Sequence, residues 1–106
     1  MSRMVIKKQE ESVLESEVTR VKPPPLFKVM LLNDDFTPMD FVVLVLEMVF
    51  ELDETRSMQI MLEAHNKGRA LVRTLPFEDA RQRVYTAKSL AQQFGYPLSF
   101  YLEPEG

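Results

Sequence analysis

The chain has 106 residues, 45% of them hydrophobic, which suits one compact domain with an ordinary core. Its net charge of −3, with both signs interspersed, gives no bulk attraction to nucleic acid or to an anionic membrane surface. Cysteine is absent and His65 is the single histidine, which excludes disulfides, a thiolate nucleophile and any metal site built on two histidines.

Residues Met1 to Lys22 mix Glu, Lys, Ser and Val without a sustained helical or strand period, and they lack the apolar core of a signal peptide. Such a segment buries too little surface to offset its ordering entropy, so a flexible N-terminal tail is expected. Pro23-Pro24-Pro25 closes it as a stiff spacer, which makes residues 1–25 an extension with a Pro-rich linker and 26–106 the folded core. The most apolar run, Phe41 to Phe50, contains Glu47 and is about half the length that spans a bilayer, so a cytoplasmic protein without a membrane segment is expected.

Leu26 to Leu32 is an almost unbroken apolar run and is predicted to be a central strand covered on both faces. It stops at Asn33-Asp34-Asp35, three turn-forming residues. Thr37-Pro38-Met39-Asp40 follows as a helix start, with Thr37 as the expected N-cap, Pro38 in the first turn and Asp40 completing a capping-box-like pair. The first helix, Pro38 to Phe50, is apolar nearly all round and is predicted to be buried on most sides. Asp53 is the expected cap of a second helix, in which Met58, Met61, Leu62 and His65 share one face and put His65 on the apolar side. Gly68 suits its left-handed C-cap.

Arg69 to Leu75 alternates loosely as a second strand. Pro76 opens a third helix, with Glu78 and Asp79 in its first turn and a buried stripe of Phe77, Ala80, Val84, Ala87, Ala91 and Phe94. Gly95 and Tyr96-Pro97 turn the chain into a last strand, Leu98 to Leu102. The order β-α-α-β-α-β predicts an α+β fold, a small three-stranded antiparallel sheet packed by three helices.

Four polar groups remain for function: Asn33, Asp34 and Asp35 leave the strand together, and His65 comes from the second helix. Beside them stand Leu31, Met39, Val42, Met61 and Ala64. If these converge, they make an apolar hole with hydrogen-bond acceptors at its mouth, suited to a positive donor head carrying an apolar group, such as a free α-ammonium group with a hydrophobic side chain. On spacing alone the Asn-Asp-Asp run equally describes a plain turn and helix cap, in which case the domain is an interaction module without such a pocket. A divalent-metal site, a phosphoacceptor pocket and a Ser or Thr nucleophile on His65 are all disfavoured: each lacks its further ligand, its sheet topology or its Gly-rich elbow.

Lys28 to Val42, with its Leu-Leu-Asn-Asp-Asp-Phe-Thr-Pro-Met core, together with Met61-Leu62-Glu63-Ala64-His65, Gly68-Arg69-Ala70 and Pro97-Leu98, resembles the ClpS adaptor family from about Pro24 to the end. The resemblance implies a non-catalytic adaptor without cofactor or metal. It would bind proteins bearing an N-terminal Leu, Phe, Tyr or Trp and deliver them to the ClpAP protease. It further implies that Asn33, Asp34, Asp35 and His65 hold the α-amino group and first peptide unit, and that Leu31, Met39, Val42, Met61, Ala64 and Leu98 form the side-chain pocket, with Met39 gating it. Glu78 and Arg83 match the positions that dock on the N-terminal domain of a ClpA-type AAA+ unfoldase, and the tail matches the extension used in substrate hand-off. Ala64 stands where the family usually has Val, which implies a roomier wall favouring Trp and Phe over Leu. Val72-Arg73, Pro76 and Arg83 replace the usual Cys-Gly, Thr and Lys.

Overall fold

The first strand of the chain is the middle strand of its sheet. The computed structural model describes residues 22–106 and contains β1 (Leu26–Leu32), α1 (Met39–Phe50), α2 (Glu54–Lys67), β2 (Arg69–Pro76), α3 (Phe77–Gln93) and β3 (Ser99–Pro104). β1 pairs antiparallel with both other strands, giving the order β2-β1-β3. The predicted α+β order and three-stranded antiparallel sheet are therefore present, while the expected flexible segment at residues 1–21 lies outside the described residues.

Val29, Met30 and Leu31 are buried in succession, but on the face that carries Met30 the strand's ends, Leu26 and Leu32, are 41% and 37% exposed, so the expected cover on both faces holds only at the middle of β1. Val29 and Leu31 enter a core shared with all three helices, including Phe41, Val45, Leu46 and Phe50 of α1 and Ile60 of α2. Met30 points the other way, where its cross-strand neighbours Leu71 and Tyr101 flank it. A bulge in β2 sets Met30 opposite Leu71 but Val29 opposite Arg73, so Val72 is an extra residue. The guanidinium of Arg73 then reaches the last carbonyl of α1, with its Nη1 donating to Phe50 O at 2.9 Å. In α3 the buried stripe is Ala80, Ala87 and Ala91, small side chains that let the helix approach the sheet closely.

Two of the predicted caps are in place: the Asp53 carboxylate accepts from the Arg56 N–H at 2.7 Å, and Gly68 ends α2 at φ 91° with its N–H bonded to Ala64 O. The predicted Thr37 cap is not formed. α1 starts one residue later than expected, Pro38 is still extended (ψ 141°), and the Thr37 N–H and hydroxyl both donate to Asp34. With Pro38 in the N-cap position, the Thr37 side chain lies one residue too early to accept from the first turn, and its N–H and hydroxyl brace the loop through the Asp34 carboxylate instead. Pro76 likewise ends β2 rather than opening α3, and β3 runs from Ser99 to Pro104.

The predicted helix faces need correction as well. α2 buries Ser57, Ile60, Met61 and Ala64, whereas Met58 and Leu62 are 44% and 45% exposed. The large apolar residues had marked a stripe one position round, because Ser57 and Ala64 carry little hydrophobic weight of their own. α1 is open on one side, with Leu44 and Met48 exposed, and Phe77 and Phe94 of the α3 stripe lie near the surface against other aromatics. Ser57 is fully buried and its hydroxyl has no hydrogen-bond partner among the described residues. Ser57→Ala is therefore expected to raise stability by about 1 kcal/mol, since it removes an uncompensated polar group. Urea unfolding with an unchanged slope would show it, and a loss of stability would mean that the hydroxyl has a partner after all.

Candidate functional site

The site forms where β1 stops. Past Leu32, the Asn33 N–H donates to Gly68 O at 3.0 Å, which ties the departing strand to the junction of α2 and β2. The Asp34 carboxylate then organises the loop by accepting from the Phe36 N–H at 2.9 Å, the Thr37 N–H at 2.7 Å and the Thr37 hydroxyl at 2.9 Å. Pro38 O accepts the first helical bond, from Val42 N–H, so the loop passes straight into α1 with Met39 as its first helical residue.

This loop bounds a cavity of about 290 Å³. Leu31 from β1, Val42 from α1, Met61 and Ala64 from α2, and Leu98 just before β3 are buried and form its apolar interior. Met39 is 46% exposed and stands at its edge. Asn33, Asp34, Asp35 and His65 line the same cavity, so all ten residues expected to form a pocket from sequence line one space. His65 differs from its expected setting: it is exposed, because α2 buries the face centred on Ile60, Met61 and Ala64 and leaves His65 beside it at the rim.

The rim is unusual electrostatically. Among the described residues no Lys or Arg lines the cavity, whereas two carboxylates do. Asp34 is occupied by its own loop, but the exposed Asp35 takes no side-chain hydrogen bond or ion pair among the described residues. The two residues, adjacent in sequence, thus divide the work: one builds the loop and the other remains available to a ligand. Carboxylates and an amide oxygen accept hydrogen bonds, so the mouth suits a cationic donor. The interior suits an apolar group, and a dry cavity of about 150 Å³ already holds a benzene-sized molecule. Among the described residues no group of three His, Asp or Glu side chains is placed to hold a metal ion.

The loop also contributes Phe36, which is 80% exposed at the mouth and was not assigned a role from sequence. The available signal was its place inside the Asn-Asp-Asp-Phe-Thr-Pro-Met run, where a large apolar residue interrupts polar turn formers.

Glu78 and Arg83 lie away from this cavity, on α3. Glu78 is exposed and forked by Arg81, whose hydrogen bond and charge hold its carboxyl below the usual range. Arg83 is turned inward. Its Nη1 donates to Val49 O at 2.7 Å, its Nε bonds Asp79 at 2.7 Å, and its Nη2 reaches Glu51 at 3.3 Å. The hydrogen bond to Asp79 is the main cause of its raised pKa. Together with Arg73, it satisfies carbonyls at the C-terminal end of α1, where Glu51 takes a left-handed turn at φ 57°. No helix among the described residues is long and apolar enough to cross a membrane.

Comparison with known proteins places this architecture. Residues 22–101 match the family described as ATP-dependent Clp protease adaptor protein ClpS. The ATP-dependent Clp protease adapter protein ClpS of Aromatoleum aromaticum is 45% identical over 100 residues, covering 94% of this chain and 98% of that protein. The protein of the same name from Nitrosomonas eutropha is 45% identical over 95 residues, covering 90% and 92%. Among solved structures, Agrobacterium tumefaciens ClpS2 bound to L-phenylalaninamide superposes with a TM-score of 0.75 at 42% identity, covering 78% of this chain and all of that one. Sequence, fold and cavity thus agree, and the chain belongs to the ClpS family of Clp protease adaptors.

Proposed function

We propose that this chain binds proteins whose first residue is Leu, Phe, Tyr or Trp through their free α-amino group, and delivers them to ClpAP for degradation without catalysing a reaction itself. One observation carries the reading: an apolar cavity opens onto a rim that, among the described residues, offers carboxylate and amide acceptors and no Lys or Arg. An N-terminal bulky residue is the common biological ligand that pairs a positive head with an apolar group on adjacent atoms. The bound molecule in the related Agrobacterium structure, L-phenylalaninamide, has that chemistry.

In this reading Asn33, Asp35 and His65 receive the amino group and first peptide unit. Asp34 contributes charge while holding the loop. The first side chain enters among Leu31, Val42, Met61, Ala64 and Leu98, and Met39 at the edge admits unbranched shapes over β-branched ones. The affinity is reachable, because burying a Leu or Phe side chain gives about 1.5–3 kcal/mol and charge-assisted hydrogen bonds about 1.5–3 kcal/mol each. Less the cost of association, that lands near the roughly −8 kcal/mol of micromolar binding.

Titration of fluorescent peptides differing only in their first residue tests this. Leu, Phe, Tyr and Trp are expected to bind in the micromolar range, and Val, Ile and Gly at least about tenfold more weakly, one such factor being about 1.4 kcal/mol. Equal affinity for Gly-first and Phe-first peptides would overturn the reading. Relative gain of Trp and Phe over Leu, removed by Ala64→Val, is the expected signature of the smaller residue on that wall.

Delivery in this reading places the N-terminal domain of a ClpA-type unfoldase on α3 at Glu78 and Arg83, in the bacterial cytoplasm, with the extension at residues 1–25 serving hand-off. The two docking residues are not equivalent in the folded chain. Glu78→Lys is expected to weaken ClpA binding with only a small fall in the unfolding midpoint, from the lost exposed ion pair with Arg81 and the reversed charge in the first turn of α3. Arg83→Ala is expected to cost about 2 kcal/mol of stability as well, since it frees the Val49 carbonyl and the Asp79 carboxylate. Parallel urea unfolding and ClpA titration separate the two effects, and an Arg83→Ala protein as stable as the parent would refute the structural half.

A further inference from the structure

Met39 and Met61 each have a second side. Both also line a groove of about 400 Å³ between α1 and α2, floored by Val43, Leu44 and Met58 and rimmed by Asp40, Glu47 and Glu54. Leu44 and Met58 are 46% and 44% exposed, so the floor is open apolar surface. No Lys or Arg lines the groove, and none of its three carboxylates sits in an ion pair among the described residues. The hydrogen bond that Asp40 takes from the Phe41 N–H is the one side-chain bond any of the three makes among those residues. Unpaired like charges around bare apolar surface are complementary to an apolar side chain flanked by cations.

We propose that this groove is the second half of the substrate site: it takes the third to fifth residues of the chain whose first residue fills the pocket, and selects an apolar residue flanked by Lys or Arg. The proposal rests on the pocket receiving that first residue. Two features make the occupant the same chain. The groove begins at Met39 and Met61, the wall it shares with the pocket, so a chain leaving the mouth meets it directly. Its length also fits, since Met39 and Leu44 lie about 7.5 Å apart along α1, which an extended chain covers in two to three residues. As an independent docking surface the groove is far below the roughly 1,000 Å² that a stable interface buries, but as a tethered second contact it acts at high effective concentration.

The test uses the full chain and three fluorescent peptides that start with Phe and a free amine. Positions three to five are Lys-Leu-Lys, Ser-Gly-Ser or Glu-Leu-Glu. Lys-Leu-Lys is expected to bind about tenfold tighter than Ser-Gly-Ser, and Glu-Leu-Glu weaker than both, with the preference shrinking as salt is raised. In Glu47→Lys and Leu44→Lys variants the preference is expected to collapse to within about twofold, while the Ser-Gly-Ser peptide binds as before, which also shows that the variants are folded. Equal affinities for the three peptides, or a preference that survives both substitutions, would overturn the inference and leave the pocket reading standing. Failure of all three to bind would overturn both. An acetylated Lys-Leu-Lys peptide binding as well as the free one, while an acetylated Ser-Gly-Ser peptide does not bind, would show that the groove acts without the pocket and overturn the tethered role. Self-association of the chain abolished by Leu44→Lys in sedimentation would assign it to a second copy, with the same consequence.

Discussion

Acetylating the amino end of a Phe-first peptide is expected to lower its affinity for this chain by at least about a hundredfold. The change removes the positive charge and leaves a single N–H in place of the ammonium group, so about two charge-assisted hydrogen bonds of 1.5–3 kcal/mol are lost. The rim offers no Lys or Arg to receive the acetyl carbonyl in return among the described residues, since the cavity lining there holds the carboxylates of Asp34 and Asp35. The same argument fixes a pH dependence. A free α-amino group titrates near about 7.7–8.0, and its charged form is the ligand. Binding is then flat on the acid side of that range and falls about tenfold per unit of pH well above it, at fixed protein stability. Asp35→Ala is expected to reproduce most of the acetylation effect without shifting the unfolding midpoint, because no side-chain hydrogen bond to Asp35 contributes to the fold among the described residues. Fluorescence polarisation on the two peptides across pH 6 to 10 checks all three statements. An acetylated peptide that binds like the free one would mean that the pocket recognises only the side chain.

Asp34→Ala is expected to do more damage than Asp35→Ala, and of a different kind. It leaves the Phe36 N–H, the Thr37 N–H and the Thr37 hydroxyl without their acceptor, in a loop that hands the chain into α1. A loss of about 2–3 kcal/mol in stability follows, partly relieved by water at the exposed Phe36 N–H. Affinity falls with it, since Phe36 and Met39 lose the geometry that places them at the mouth. Asp34→Asn separates the two contributions. Its amide oxygen still accepts the two backbone bonds that Oδ1 makes now, so most of the stability is kept while one negative charge leaves the rim. Urea unfolding and peptide titration on the three variants give the ordering. If Asp34→Ala unfolds at the parent's midpoint, the carboxylate does not hold the loop.

Much of the fold was readable because its signals are short-range. The Asp53 cap, the Gly68 stop and the apolar run of β1 each depend on residues within one turn or one strand, where backbone geometry leaves few options. Side-chain periodicity was less reliable where size and burial part company, as with Ser57 and Ala64 inside α2 and Met58 and Leu62 outside it. The Thr37 cap failed because Pro38 stays extended, so α1 starts at Met39 and Thr37 lies one residue too early to cap it.

By itself the sequence determined the order of elements, the polar run at the end of β1 and the chemistry available there, together with a motif specific enough to suggest the family. Tertiary structure alone decided that Met61, Ala64 and Leu98 close around that run, and that His65 stands at the rim instead of inside. It also decided that Arg83 bonds the end of α1, at a carbonyl 34 residues earlier in the chain. Those outcomes depend on which partners distant segments bring within about 3 Å of one another, and no local propensity encodes that.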